Sequence, residues 1–284
     1  MGEIIWNRRS SKEVGLVLAS EPDYDIASPA ISSQHVIGRN GDVITGVYDF
    51  SNSSRTYNFT FPLLGRSLDS RASEIIEWLC YGYMNEGAFG YKELFDSYSP
   101  DIYYLATYVP GGVITKLWGN NEEAGAISVT FNRRPERFLI SGSTNDPITI
   151  PTSSQAYLRY NNPTEFASYP TIKILAPSNS SNVQITFDHY GATRFAKYRY
   201  KMIINNPSTE SDYIRIDGLN HTVTCDNEQV TWQILAHAPV PWDTELLPDN
   251  EYVPGEIMFW PGPNTIMSNV SGITGFCTPN WWRL

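Results

Sequence analysis

The residues able to do chemistry are few and scattered. Four histidines, His35, His189, His221 and His237, lie far apart along the chain, without the spacing of metal ligands. Asp188-His189 is a carboxylate beside an imidazole at the end of a strand-like run, and a structural histidine is the simpler account of it. Glycoside hydrolysis needs two carboxylates flanking a sugar bond. Glu122 and Glu123 follow Gly119-Asn120-Asn121, and Asp249 and Glu251 sit in Pro248-Asp249-Asn250-Glu251, so both pairs read as solvated turns. No His-Glu-x-x-His, Gly-x-Ser-x-Gly, Walker loop or dinucleotide fingerprint occurs. These letters name no catalytic residue, no metal ligand and no cofactor site.

Two other groups can carry binding. Gln34-His35-Val36-Ile37 runs into Gly38-Arg39-Asn40-Gly41-Asp42, a tight-turn segment, because glycine supplies positive φ and Asn-Gly favours a type I′ hairpin. Arg39 and Asn40 either fix that hairpin or reach a neighbouring subunit. The second half of the chain holds Trp232, Trp242, Tyr252, Trp260, Trp281 and Trp282. Such rings either stack on the apolar faces of sugars or pack a core or an interface.

The elements that must position these groups are mostly strands. Tyr57, Phe59 and Phe61 alternate with polar neighbours, as do Ile127, Val129 and Phe131. Residues 171–175 and 183–187 repeat the pattern. Period-2 alternation puts one side in a core and the other toward water. Residues 69–81 differ, with Ala72, Ile75, Ile76 and Leu79 at helical spacing. Asp69 or Ser70 would cap this helix and Gly82 would end it. A boundary near residues 135–151 predicts an N-terminal α+β domain over 1–140, a linker over 141–151 and an all-β domain over 152–284.

Composition narrows the partners. The chain has 284 residues and a formal net charge of −10, which disfavours bound nucleic acid and anionic membrane surfaces alike. Only 18% of residues are charged, yet there are 18 Tyr and 8 Trp, a balance suited to large protein contacts or sugar-stacking surfaces. Cys80, Cys225 and Cys277 are distant and odd in number, as in a protein made in a reducing compartment. No apolar run approaches the ~20 residues of a membrane span, and the first residues do not resemble a secretory signal.

A family resemblance accumulates along this frame. Val36-Ile37-Gly38-Arg39-Asn40-Gly41-Asp42 resembles the start of the distal tail proteins of long-tailed phages (siphophages) that infect Gram-positive bacteria. Leu94-Phe95-Asp96-Ser97-Tyr98-Ser99-Pro100-Asp101-Ile102-Tyr103-Tyr104 is similar to a further segment of that family. So are 127–139, 162–174, 260–266 and 279–284, in the family's order. Two positions depart from the pattern: Ser99 stands where Asp is commoner, and Asn280 where Arg is expected.

The resemblance implies a non-enzymatic virion protein with no cofactor. Its N-terminal domain would form a homohexameric ring, with Gly38, Arg39, Asn40, Gly41 and Asp42 as a candidate ring hairpin. The ring would meet the major tail (tube) protein on one side and the tail-tip or tail-associated lysin protein on the other. A galectin-like β-sandwich would lie outward and carry a receptor-binding or baseplate upper protein, or in some members touch host cell-wall carbohydrate. Such a protein is assembled in the host cytoplasm and ends at the virion tail tip, where DNA passes through without being bound. The alternative is a carbohydrate-binding module for host-surface recognition, using Trp232, Trp242, Tyr252 and Trp260. A cell-wall hydrolase ranks third, since no motif supports it.

Overall fold

The computed structural model describes residues 2–22, 27–34, 43–85, 90–117, 123–152, 157–175, 182–190, 197–205, 213–225, 230–236 and 253–284. The protein is mainly β, with one α-helix among the described residues. It divides into two units, 1–137 with Leu284, and 138–283.

In the first unit the strands are β1 (Ile4–Trp6), β2 (Arg9–Ser10), β3 (Val17–Leu18), β4 (Pro29–Gln34), β5 (Val43–Phe50) and β6 (Ser53–Pro62). Helix α1 (Leu68–Asn85) follows, then β7 (Lys92–Asp96), β8 (Ile102–Val109), β9 (Ile114–Leu117) and β10 (Ala124–Leu139). The main sheet runs β2-β1-β7-β8-β10-β6-β3, with β9 paired to the start of β10. β4 and β5 form a separate antiparallel pair.

The expected alternation holds on the two long strands. Tyr57, Phe59 and Phe61 on β6, and Ile127, Val129 and Phe131 on β10, are all buried. The helix differs from expectation at three points. Its cap is Ser67, whose hydroxyl accepts from the Ser70 amide at 3.1 Å, so the cap is neither Asp69 nor Ser70. It continues through Gly82 to Asn85. An interior glycine costs only about 1 kcal/mol, which burial of the preceding turns offsets. Its buried face is Arg71, Ile75, Trp78 and Leu79, while Ile76 is 55% exposed.

Two indoles rotate the helix this way. Trp78 donates its ring N–H to the Arg9 carbonyl at 3.1 Å, and Trp6 donates to the Leu79 carbonyl at 3.0 Å. Turning Ile76 inward would break the first of these bonds and strand a buried donor.

The second unit contains β11 (Asp146–Ile150), β12 (Leu158–Asn162), β13 (Thr171–Leu175), β14 (Asn182–Tyr190), β15 (Lys197–Asn205), β16 (Tyr213–Asp217) and β17 (Thr222–Cys225). It continues with β18 (Thr231–Ala236), β19 (Val253–Pro254), β20 (Gly262–Ser268), β21 (Ile273–Thr278) and β22 (Trp282–Arg283). A five-stranded sheet, β11-β21-β13-β16-β17, faces a six-stranded sheet, β12-β20-β14-β15-β18-β19. Between them lies one core, with Ile148, Ile172, Ile174 and Ile216 from one sheet and Ile185, Phe187, Met202 and Ile204 from the other. This is a β-sandwich.

The segment 141–151, expected to be a linker, carries β11 in register with β21. Ile148 and Ile150 are buried there, so hydrophobic alternation outweighs the Ser, Asn and Pro around it. No helix among the described residues is long and apolar enough to cross a membrane.

Candidate binding surfaces

The hairpin segment Gly38 to Asp42 lies outside the described residues. Its flanks pair antiparallel, with Gln34 opposite Val43. His35, His237, Glu122, Asp249, Glu251, Trp242 and Tyr252 also fall outside. Among the described residues, no group of three or more His, Cys, Asp or Glu is placed to hold a metal ion.

The two motif segments of the first unit meet in its interior. Asp96 ends β7, Arg55 opens the buried face of β6, and Arg133 continues the buried face of β10 past Phe131. The Arg55 guanidinium lies 3.4 Å from the Asp96 carboxylate, and the Tyr57 hydroxyl donates to the same carboxylate at 3.1 Å. Its other oxygen accepts from the Tyr98 amide at 2.9 Å, closing the turn after β7. Arg133 lies over the Tyr104 ring at 4.4 Å and donates to Ser53 Oγ at 3.1 Å. Burial and the nearby Asp96 charge push the Tyr57 phenol far up, so it stays protonated and remains a donor. This buried cluster ties β6, β7, β8 and β10 together. Sequence reasoning missed it, although Arg55 and Arg133 simply extend the two alternating runs by one step each.

On the opposite face of β6 and β10, small polar side chains pair across the strands. Thr56 and Thr130 are 2.8 Å apart, and Ser128 Oγ donates to Asn58 at 2.7 Å. With residues 109–113, Asn58, Ser128 and Thr130 line a shallow groove of about 640 Å³. Glu123, once a candidate carboxylate, pairs with Lys116 at 2.9 Å at the surface.

In the second unit, Asp188 and His189 point to opposite faces of β14, as adjacent strand residues must. Asp188 is held by Arg199 through two bonds of 2.6 and 2.7 Å. His189 is buried on the core side with Nδ1 at 2.9 Å from the Pro263 carbonyl. A carbonyl only accepts, so Nδ1 carries the proton and the ring is held by structure rather than poised for proton transfer.

Burial pushes the His189 pKa below 6.5, so the unfolded chain binds the proton more readily than the folded one. Stability of this unit is therefore expected to be present above about pH 6.5 and to fall as pH drops toward the folded pKa. The slope from one proton is at most about 1.4 kcal/mol per pH unit. Denaturant titrations between pH 5 and 8 check this: His189→Gln should flatten the slope, whatever it does to stability at pH 7.

The four described members of the aromatic set separate cleanly. Trp260 is half-buried, and its ring N–H donates to the Tyr200 hydroxyl at 2.8 Å, so it packs the edge of the core. Trp232 is 39% exposed. Trp281 is buried, and Trp282 stacks on Phe166 at 4.6 Å with its N–H on the Ala167 carbonyl. The departure at Asn280 has a local cause. Its φ is +56°, a conformation asparagine tolerates, and its amide donates to the Tyr169 carbonyl at 2.9 Å and Thr171 Oγ1 at 3.2 Å.

An N-terminal sheet with one helix among the described residues, followed by a two-sheet sandwich, defines a two-unit β protein. The crystal structure of SPP1 Dit (gp 19.1), described as a paradigm of the hub adsorption apparatus in phages infecting Gram-positive bacteria, has this fold. It matches with a TM-score of 0.57 and 12% identity over 100% of both chains. Chains of the phage p2 baseplate in its activated conformation match at 11% identity. With Sr the TM-score is 0.47, covering 100% of this chain and 97% of that one; with Ca it is 0.45, covering 98% and 97%. No protein-family model matches the chain, and no curated protein matches it.

Proposed function

We propose that this chain is a structural subunit of the hub at the distal end of a siphophage tail. The observation that carries this reading is the fold shared with SPP1 Dit from end to end. On that reading six copies close a ring by head-to-tail contacts, which need no two-fold symmetry. The domain over 1–140 joins the tail tube protein to the tail-tip or lysin protein, and the domain over 152–284, galectin-like, carries a receptor-binding or upper baseplate protein. The protein acts at the virion tail tip after assembly in the host cytoplasm. The net charge of −10 fits a ring through which DNA passes without binding.

Native mass spectrometry of the purified protein, with negative-stain images, tests the ring. A hexamer or a stacked pair of hexamers with a central hole is expected. A protein that stays monomeric even when mixed with purified tail tubes sinks the reading. The same measurement on Arg39→Ala distinguishes a hairpin that bridges subunits, which gives monomers, from one that only fixes its own strand pair.

A second reading, a carbohydrate-binding module for the host surface, has its own observation in the exposed Trp232. The two are compatible, since a ring subunit can carry a sugar-binding outer domain.

A further inference from the structure

β17 ends one sheet of the second unit, and β18 lies next to the end of the other. Trp232 and Ile234 on β18 stand opposite Ile204 and Met202 of β15, both core residues, so all four face the other sheet. An indole in that register is ordinarily covered, yet Trp232 is 39% exposed. It borders a cavity of about 250 Å³ floored by Ile216, Val223, Ile234 and Ile257.

The rim of this cavity is polar. His221 and Thr222 come from the β16–β17 hairpin, and Glu256 from the segment after β19. His221 Nδ1 lies 2.7 Å from Glu256 Oε2. The imidazole is set by its backbone as well, because His221 has φ +53°, a strained value for a bulky residue. The turn that imposes it is fixed by Asp217, whose carboxylate accepts from the Asn220 amide and side chain at 3.1 Å each. The Tyr169 ring meets the imidazole edge-on at 5.3 Å.

We propose that this cavity is a binding subsite for a single neutral pyranose ring. A pyranose has an apolar C–H face, which stacks on an indole, and hydroxyls around its edge, which need donors and acceptors in the same plane. Trp232 supplies the first. The Thr222 hydroxyl, the second ring nitrogen of His221 and the carboxylate of Glu256 supply the second. The volume lies just below the usual range of about 300–1,000 Å³ for small-molecule sites, which fits one ring. Asp217 and Glu256 at the rim disfavour uronates and sugar phosphates. This assignment rests on the carbohydrate-binding reading and is independent of the hub.

The test uses the full-length protein labelled with ¹⁵N. Its eight indole N–H signals are followed by NMR, and Trp232→Phe identifies the signal of Trp232. Glucose, galactose, N-acetylglucosamine and N-acetylgalactosamine are each titrated to about tenfold above a millimolar Kd. At least one should shift the Trp232 signal saturably. Binding should weaken at least tenfold in Trp232→Ala and in Thr222→Arg, which fills the mouth without touching the core. Tyr157→Ala, an exposed ring outside the cavity, should bind as the unmodified protein does.

Sugar binding that persists in both variants overturns the site and leaves the carbohydrate-binding reading standing. So does binding of purified Gram-positive wall polysaccharide with no response at Trp232. If neither the sugars nor that polysaccharide bind, site and carbohydrate reading fall together.

Discussion

Replacing Asp96 by Ala is expected to destabilise the first unit by about 3–5 kcal/mol, the usual cost of removing one partner of a buried ion pair. Arg55 and Asp96 have side chains only 1% and 0% exposed, so water cannot take over the lost interaction. The substitution also removes the acceptor of the Tyr57 hydroxyl and of the Tyr98 amide, which closes the turn after β7. Asp96→Asn separates these effects. It keeps an oxygen for Tyr98 but not the charge, so most of the loss should remain. Glu123→Gln is the control, since its pair with Lys116 is exposed and worth about 0.2–1 kcal/mol. Urea denaturation followed by tryptophan fluorescence measures all three. A loss below about 1 kcal/mol for Asp96→Ala would show that Asp96 does not carry the cluster.

Gly275→Ala should be the most damaging single methyl in the second unit. Gly275 lies in β21, between Ile148 of β11 and Ile174 of β13. A Cβ there would stand 2.1 Å from the Lys173 carbonyl oxygen, and backbone cannot swing aside as a side chain can. The strands must separate or the sheet must bend, at about 3 kcal/mol or more, the upper end of overpacking costs. Gly65→Ala gives the contrast. Its φ is +72° with nothing within 4 Å, so only backbone strain opposes the methyl, about 1–2 kcal/mol. Hydrogen exchange should show protection lost across β11, β13 and β21 in Gly275→Ala, with β6 and β10 unchanged. Uniform loss across both units would contradict a local steric effect.

Much of this fold is legible in the letters because strand burial has a period of two. Tyr57, Phe59 and Phe61 could be placed by inspection, and so could Ile172 and Ile174. The helix was legible as an element but not in its rotation. Ala72, Ile75, Ile76 and Leu79 make a plausible stripe, and only the indole bonds of Trp6 and Trp78 to distant carbonyls decide for Trp78 over Ile76. β11 was hidden because its turn-forming neighbours signal a loop, while its partner β21 lies more than a hundred residues away. The rim of the Trp232 cavity was illegible for the same reason. His221 and Glu256 meet through the packing of two sheets, and no spacing along the chain encodes that. The aromatic set pointed to Trp232 but equally to Trp260, and burial alone separates them.

The thiol of Cys277 gives the second unit a clock. It is fully buried on β21, and burial pushes its pKa up to about 12. At pH 8 only about one molecule in ten thousand would carry the thiolate even if a reagent could reach it. Alkylation of Cys277 must therefore wait for the sandwich to open. With the half-buried Cys80 and Cys225 replaced by serine, the rate of single-site labelling under native conditions reads out how often the two sheets come apart, and that frequency can be followed in the free subunit or in any assembly that holds it.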